Sequence, residues 1–442
     1  MANEVPLYAV NKEGNSKWGF IDKNGKLLID ANYDYVEDFN FENKKAIVFQ
    51  TQSEQSGLKP KTHVGLIDIE GNPILDFSND LLNVEYRNNS KEDPMFQISV
   101  GKTPTFYFNK KGHQLFVNPT KMRPFVEGLA LFRSKDNRWG YVDSIGNILI
   151  EPQFKSARPF SEGLAMVVDS SEYCSFINQK GEIVFKTKFT EKQQIGLGDF
   201  HEGRCWFKGT NGWFWGCFDK KGVEIIEPRF YHKITGAYLP KPSESYNLPM
   251  DFMNGVASVQ VLDANQKPAY TIIDLEGNQK IDPGVFMVIE PFDENGLAVY
   301  SKDSKDKKGL LNLVGKTIVP PRYKSILPFV NGFAKVATNQ GKWGLINLKG
   351  EEVVKPIYQE IGVVAEGMIP VKTKDHGWSF IQTAEETIIP GPFKWVTHFQ
   401  NGISFVNRKE KDFLIDKLGN EISISDGAPV FFFGRNFRGR HK

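Results

Sequence analysis

The sequence predicts an all-β repeat protein: about eleven small antiparallel sheets in a β-propeller-like array, as one ring, two rings or an open superhelix. Three observations carry this expectation: a recurring turn mark, an apolar mark between its copies, and a composition suited to many short strands. The turn mark is a Gly three residues after Asp or Asn, at Gly25, Gly71, Gly112, Gly146, Gly181, Gly222, Gly277, Gly315, Gly350 and Gly419; Glu386 stands where an eleventh Gly is expected. The tightest spacings are 33 to 36 residues, and the longest, Gly222 to Gly277, is 55. A fixed period in this range is the mark of stacked supersecondary units. The apolar mark, Phe-x-x-Gly-apolar-Ala-x-Val, is plain from Phe125, Phe160 and Phe329 and weaker from Phe200, Phe252 and Phe399. Thirty-five Phe, 14 Tyr and 8 Trp supply buried surface, while 40 Gly and 24 Pro favour frequent turns.

One unit reads in order. Gly163-Leu164-Ala165-Met166-Val167-Val168 is β-branched and alternating, hence a strand. Trp139-Gly140-Tyr141-Val142-Asp143 and Asn147-Ile148-Leu149-Ile150 show the next two. Asp143 to Gly146 joins them as a three-residue hairpin: a type I turn, then a left-handed residue, with the carboxylate accepting turn amides. A proline next to an aromatic follows, as in Pro152 with Phe154, Pro228 with Phe230 and Pro356 with Tyr358. Lacking a donor, the proline is expected to end the third strand, and the aromatic to anchor a short fourth strand or a connector. Sheets this small must stack on neighbours to bury their faces. Eleven exceeds the usual complement of a propeller ring, so two tandem rings or an unclosed spiral is expected.

The chain is read as one continuous array, 1–442. Its longest unit places any division near residue 253, giving sub-arrays 1–253 and 254–434, with a basic tail at 435–442. Residues 7–10 start the first unit and 430–433 close the last sheet. No strand is left to cross over and lock a ring, which favours an open array.

The formal charge is +2, and the tail from Asp426 contributes +3 of it. A general nucleic-acid footprint is therefore absent, and nucleic acid is left one route, the basic tail. Three cysteines make no disulfide framework. The first residues carry neither a basic nor an apolar leader segment, and no apolar run has the length of a membrane span. A cytoplasmic protein is expected.

The runs Lys17-Trp18-Gly19-Phe20-Ile21-Asp22, Arg138-Trp139-Gly140-Tyr141-Val142-Asp143 and Lys342-Trp343-Gly344-Leu345-Ile346-Asn347 resemble the bacterial WG-repeat family, as do the other two marks. The resemblance covers essentially the whole chain. It implies an all-β repeat protein and brings no catalytic residue set. The Trp persists at Trp18, Trp139, Trp215, Trp343 and Trp378, the last followed by Ser379; Thr105-Phe106-Tyr107-Phe108-Asn109 replaces the motif in the third unit.

Each repeated group has a structural reading. Trp18, Trp139, Trp215, Trp343 and Trp378 fill space between sheets, and Gly19, Gly140, Gly216 and Gly344 admit a neighbouring backbone. Asp22, Asp68, Asp143, Asp219, Asp274 and Asp416 alternate with Asn109, Asn178, Asn312 and Asn347, which serve a turn equally but cannot replace a catalytic carboxylate. Glu127, Glu162 and Glu202 alternate in the same way with Asn254, Asn295, Asn331 and Asn401. Cys205, Cys217, His201 and His232 match no closed zinc spacing, and Cys174, Cys205 and Cys217 each occupy a core position of the repeat. No catalytic residue, metal ligand or cofactor is assigned. Arg435, Arg438, Arg440 and Lys442 are the candidate binding residues; the alternative is a terminal strand with a frayed end. The expected function is a non-enzymatic scaffold for a protein, peptide or glycan. The alternatives are an enzyme with a loop-built site in a channel, and a toxin-linked or surface interaction module. Function is expected where the repeat fails: residues 236–249, residues 300–308 and the tail.

Overall fold

Apolar alternation and turn chemistry set the strands, and each sheet is assembled from them in one sequence. The computed structural model describes residues 8–12, 17–22, 24–36, 46–52, 61–78, 83–87, 95–99, 105–108, 114–116, 121–210, 213–231, 251–302, 307–382, 387–409, 411–422 and 430–431. Among these, the 3-10 turn Glu191–Gly196 is the sole helical element. In unit five a lead-in strand, Ser156–Ala157, precedes the apolar strand Leu164–Val168, the strand at the Trp-Gly position, Tyr173–Asn178, and the outer strand Ile183–Thr190. These pair antiparallel in that order. The order recurs in nine four-stranded sheets and opens one six-stranded sheet. The six-stranded sheet holds units six and seven, joined at Tyr231 and Gln260. The described strands thus form eleven units. In the third, Thr105–Phe108 takes the Trp-Gly place between Met95–Ser99 and Gln114–Phe116 although the motif is gone.

Strand alternation explains the stacking. Every residue of Leu164–Val168 is buried, because its two faces meet different sheets. Ala165 and Val167 pack with Leu131, Tyr141 and Ile150 of sheet four, whereas Leu164, Met166 and Val168 pack with Phe200 and Phe207 of unit six.

The proline corrects an expectation: it lies inside the outer strand. From Tyr141↔Ile150 to Trp139↔Phe154 the Trp-Gly strand advances two residues and the outer strand four, a bulge holding Pro152. The same register shift occurs at Pro228, Pro321 and Pro356. At a bulge the missing N–H removes no ladder bond, so the proline is tolerated mid-strand; at Pro152, Pro321 and Pro356 the outer strand is also a sheet edge. Five outer strands then bend at a single residue into the lead-in strand of the next sheet: at Asp34, Lys155, Lys324, Gln359 and Lys394. The short fourth strand therefore belongs to the following sheet.

That linkage also closes the chain, against the expected open array. Val430–Phe431 pairs with Tyr8–Lys12, Asn11 opposite Phe431 and Lys12 opposite Val430. It is the lead-in strand of the first sheet rather than the closing strand of the last. Ile403 and Leu414 of sheet eleven pack against Ile21 of sheet one, so the ends meet by side chains as well as by backbone. Apolar clusters join successive units from four through eleven and on through one to two. Side-chain packing of the third sheet lies outside the described residues. Across the region of the expected division near residue 253, Trp206, Trp215 and Phe252 share a cluster with Ala257 and Ile273.

Candidate functional site

Antiparallel pairing gives each sheet two distinct ends. One carries both glycine turns; the other carries the loop from the apolar strand to the Trp-Gly strand and the bend between sheets. The pairing Leu164↔Asn178 places both turns of unit five together.

At the turn end the Asp and Asn positions do the same work. Asp143 Oδ1 accepts the amides of Ile145 at 3.0 Å and Asn147 at 2.8 Å. Asn347 Oδ1 accepts those of Lys349 and Glu351, both at 3.0 Å. The glycine closing each turn is left-handed, φ 97° at Gly146 and 78° at Gly350. A Cβ on Gly350 would also overlap Val319 of the preceding sheet, and one on Gly181 would press on Ile150. Burial acts to raise the Asp143 carboxyl, and the hydrogen bonds from Asn147, Ile145 and Gly146 outweigh it and hold it below the usual range. Glu386 and Asn109 lie outside the described residues.

The second turn does more than the sequence suggests. Glu162 and Gly163 both have positive φ, 51° and 80°, the pattern of a type I′ turn. With its backbone committed to the turn, the side chain reaches the next sheet. Glu127 Oε2 accepts the Gly163 amide at 2.9 Å, Glu162 Oε2 that of Gly203 at 2.9 Å, and Glu202 Oε2 that of Gly255 at 2.7 Å. Glu366 does the same for Gly402 at 2.9 Å. Where Asn replaces Glu the polarity reverses: Asn331 Nδ2 donates to Val364 O at 3.0 Å. For Glu162, burial raises the carboxyl, but the Gly203 amide, Lys220 and the Glu202 amide together hold it below the usual range. Lys417 and the Gly402 amide do so for Glu366, again against burial.

One turn-end cluster departs from the repeat. The residue before the Phe of the apolar mark is Pro124, Pro159 and Pro328, but Asp199 and Asp251 in units six and seven. His201 Nε2 stands 3.3 Å from Asp251 Oδ2, and Arg158 Nη1 3.3 Å from Asp199 Oδ1. Asp251 Oδ1 is sealed from solvent without a hydrogen-bond partner. Burial, with Asp199 adding to it and His201 opposing, raises the Asp251 carboxyl above its ordinary value. The substitution of Asp for Pro was visible in the sequence; the pairing with His201 was not, since the partners lie fifty residues apart.

The Trp-Gly positions bear on packing. Trp18 and Trp215 are buried, and Trp139, Trp343 and Trp378 part-buried. Each packs in a cluster spanning two units. The adjoining Gly makes room for its own sheet's bulge: a Cβ on Gly344 would stand 2.5 Å from Val354 O and 2.7 Å from Pro356 N. In unit ten Ser379 replaces the Gly, and the tight position moves to Gly391, whose Cβ would overlap Trp378 O.

Cys205 and Cys217 are fully buried, and burial pushes both thiols well above the ordinary value; Cys174 is pushed up to about 11. Among the described residues no group of three or more His, Cys, Asp or Glu is placed to hold a metal ion. Nor is any described helix long and apolar enough to cross a membrane. His232, residues 236–249, Arg435, Arg438, Arg440 and Lys442 lie outside the described residues.

Fold and repeated turns define a β-propeller-like repeat protein built as a scaffold of small sheets. The chain belongs to the WG containing repeat family, which matches residues 18–51, 139–171, 175–213, 215–231, 270–305, 309–342, 343–375 and 378–411, more than half its length. No curated protein matches it. Among solved structures, a eukaryotic initiation factor is similar at 10% identity and a TM-score of 0.37, over 74% of this chain and 92% of that one. BamB from Moraxella catarrhalis is similar at 10% identity and a TM-score of 0.28, over 68% and 91%. Likenesses this loose bring no property to this chain.

Proposed function

We propose that the protein is a non-catalytic binding scaffold whose sheets and loops present an extended surface to a protein, peptide or glycan. One observation carries this reading: the described carboxylates at repeated positions are engaged by backbone amides of their own turn or the next sheet. A carboxylate so held is a structural acceptor, and at Asp143, Glu162, Asp274, Glu366 and Asp416 the hydrogen bonds also lower its proton affinity, which makes it a poor general acid or base at neutral pH. What varies from unit to unit is the loop end, and repeat scaffolds commonly bind through such variable connections. Affinity capture from the native cell, read by mass spectrometry, is expected to return a stoichiometric partner. Turnover in a broad hydrolase and lyase screen would overturn the reading.

The second reading is an enzyme, and the Asp199, His201 and Asp251 cluster favours it. There a part-buried carboxyl of raised proton affinity faces an imidazole, the pairing that acid–base chemistry uses. Turnover abolished by both Asp251→Asn and His201→Gln would establish it. Export of the native protein would favour a surface interaction module.

A further inference from the structure

One lysine stands where the repeat places a core side chain. Antiparallel register aligns Lys335, opposite Leu345, with Leu131, Met166, Trp206, Ser258, Val299 and Phe405 of other units. Those six are uncharged. Along Phe333–Ala337 the side chains alternate between two neighbouring sheets. Ala334 and Val336 pack with Leu310 and Val319 of sheet eight. Phe333 and Leu345 pack with Ile361, Val364 and Ile369 of sheet ten, so Lys335, on their face, stands between sheets nine and ten. On its other side is Leu327, whose amide donates to Lys335 O at 2.9 Å.

Ser258, the other polar occupant of this position, is satisfied: its Oγ donates to Ile289 O of the next sheet at 3.1 Å. Among the described residues the Lys335 ammonium has no ion pair or hydrogen bond. Burial alone lowers its proton affinity below that of an ordinary lysine. The side chain is half-buried and Leu327 beside it is 40% exposed, so the position opens to solvent. We infer that Lys335 is a covalent modification site, an amine that captures small apolar aldehydes as imines at the junction of sheets nine and ten. A free amine attacks a carbonyl carbon where an ammonium cannot, and apolar surroundings are how proteins keep a lysine deprotonated. The nitrogen lone pair forms the C–N bond, and the carbonyl oxygen leaves as water with both amine protons. The walls set the class of aldehyde: Leu327 and Leu345 on the lysine's own sheet, with Val364 of sheet ten, suit an apolar body. Capture also removes a charge from a junction that is otherwise apolar. The inference goes beyond the scaffold reading and stands apart from the Asp251 cluster.

The test is labelling of the full-length chain with benzaldehyde and cyanoborohydride at pH 7, read by peptide mapping. The hydride reduces the imine to a stable secondary amine. Lys335 is expected to label at least about threefold faster than the exposed Lys374, since lower proton affinity leaves more free amine. Its labelling is also expected to rise at lower pH than that of Lys374. The preference for Lys335 over Lys374 is expected to shrink with glyoxylate, whose carboxylate the apolar walls disfavour. Lys335→Arg is expected to remove that label and leave labelling of Lys374 unchanged. Lys335→Met is expected to raise the melting temperature at pH 7, a gain that shrinks as pH rises toward the unfolded lysine value of about 10.4. Labelling of Lys335 no faster than Lys374 would show an amine that snorkels into water and would overturn the inference. So would an equal preference with glyoxylate, or a lowered melting temperature for Lys335→Met.

Discussion

The two ends of each sheet use the same residue types to different effect. At the turn end carboxylates accept backbone amides, from Asp143 within its own hairpin to Glu162 across to the next sheet. At the loop end lysines stand on connections that differ in length and sequence from unit to unit. A charged group with a fixed backbone partner is part of the fold. A charged group on a variable connection differs from unit to unit and so is not part of the repeated frame. Repetition therefore points away from the binding surface: the positions that recur most faithfully hold the ring together.

The largest expected effect sharpens this contrast where the backbone is tightest. Gly344→Ala is expected to cost about 3 kcal/mol or more, because the new methyl meets Val354 and Pro356 backbone that cannot yield. Thermal unfolding checks it; an unchanged midpoint would mean that the bulge can shift. Trp343→Ala comes next, at about 3 kcal/mol, the low end for a deleted aromatic because the ring is only part-buried. Loss of a ligand with no loss of stability would make that Trp a binding platform instead.

Glu162→Gln is expected to cost about 1 kcal/mol at pH 7, part-exposed as the carboxylate is, through weaker acceptance of the Glu202 and Gly203 amides. The pH sign follows from its lowered proton affinity. Its contribution is present above the unfolded Glu value of about 4.3 and is lost as pH falls through the lower folded value. The wild-type advantage over Glu162→Gln should therefore vanish in acid. Asp251 has the opposite sign: its affinity is raised, so its ionised form opposes folding above the unfolded Asp value of about 3.9. Asp251→Asn is expected to raise the melting temperature at pH 7 and to add nothing below pH of about 4. The smallest effect belongs to Asp143→Asn, within about 0.5 kcal/mol, since Asn178, Asn312 and Asn347 already perform that turn.

These differences also mark what could be read in advance. The eleven units, their strands and the Asp turn were legible because each rests on local chemistry: alternation, a left-handed glycine, an acceptor two residues from its amide. The mid-strand proline was not, because a bulge forgives it and only the register shows the bulge. Closure was not, because Val430 and Phe431 carry no mark and their partner lies at the other end of the chain. The Glu-to-amide bonds between sheets escaped for a related reason. A backbone amide has no residue type, so Gly203 looks the same whether or not Glu162 reaches it.

Carboxylate-to-amide bonds tie neighbouring sheets at the turn end. Amide hydrogen exchange of the full-length chain at neutral pH tests this directly. The amides of Gly163, Gly203, Gly255 and Gly402 are expected to be protected although they sit in surface turns, with Gly203 losing protection in Glu162→Ala. Exchange of all four as fast as the loop-end amides of residues 339 and 340 would contradict it.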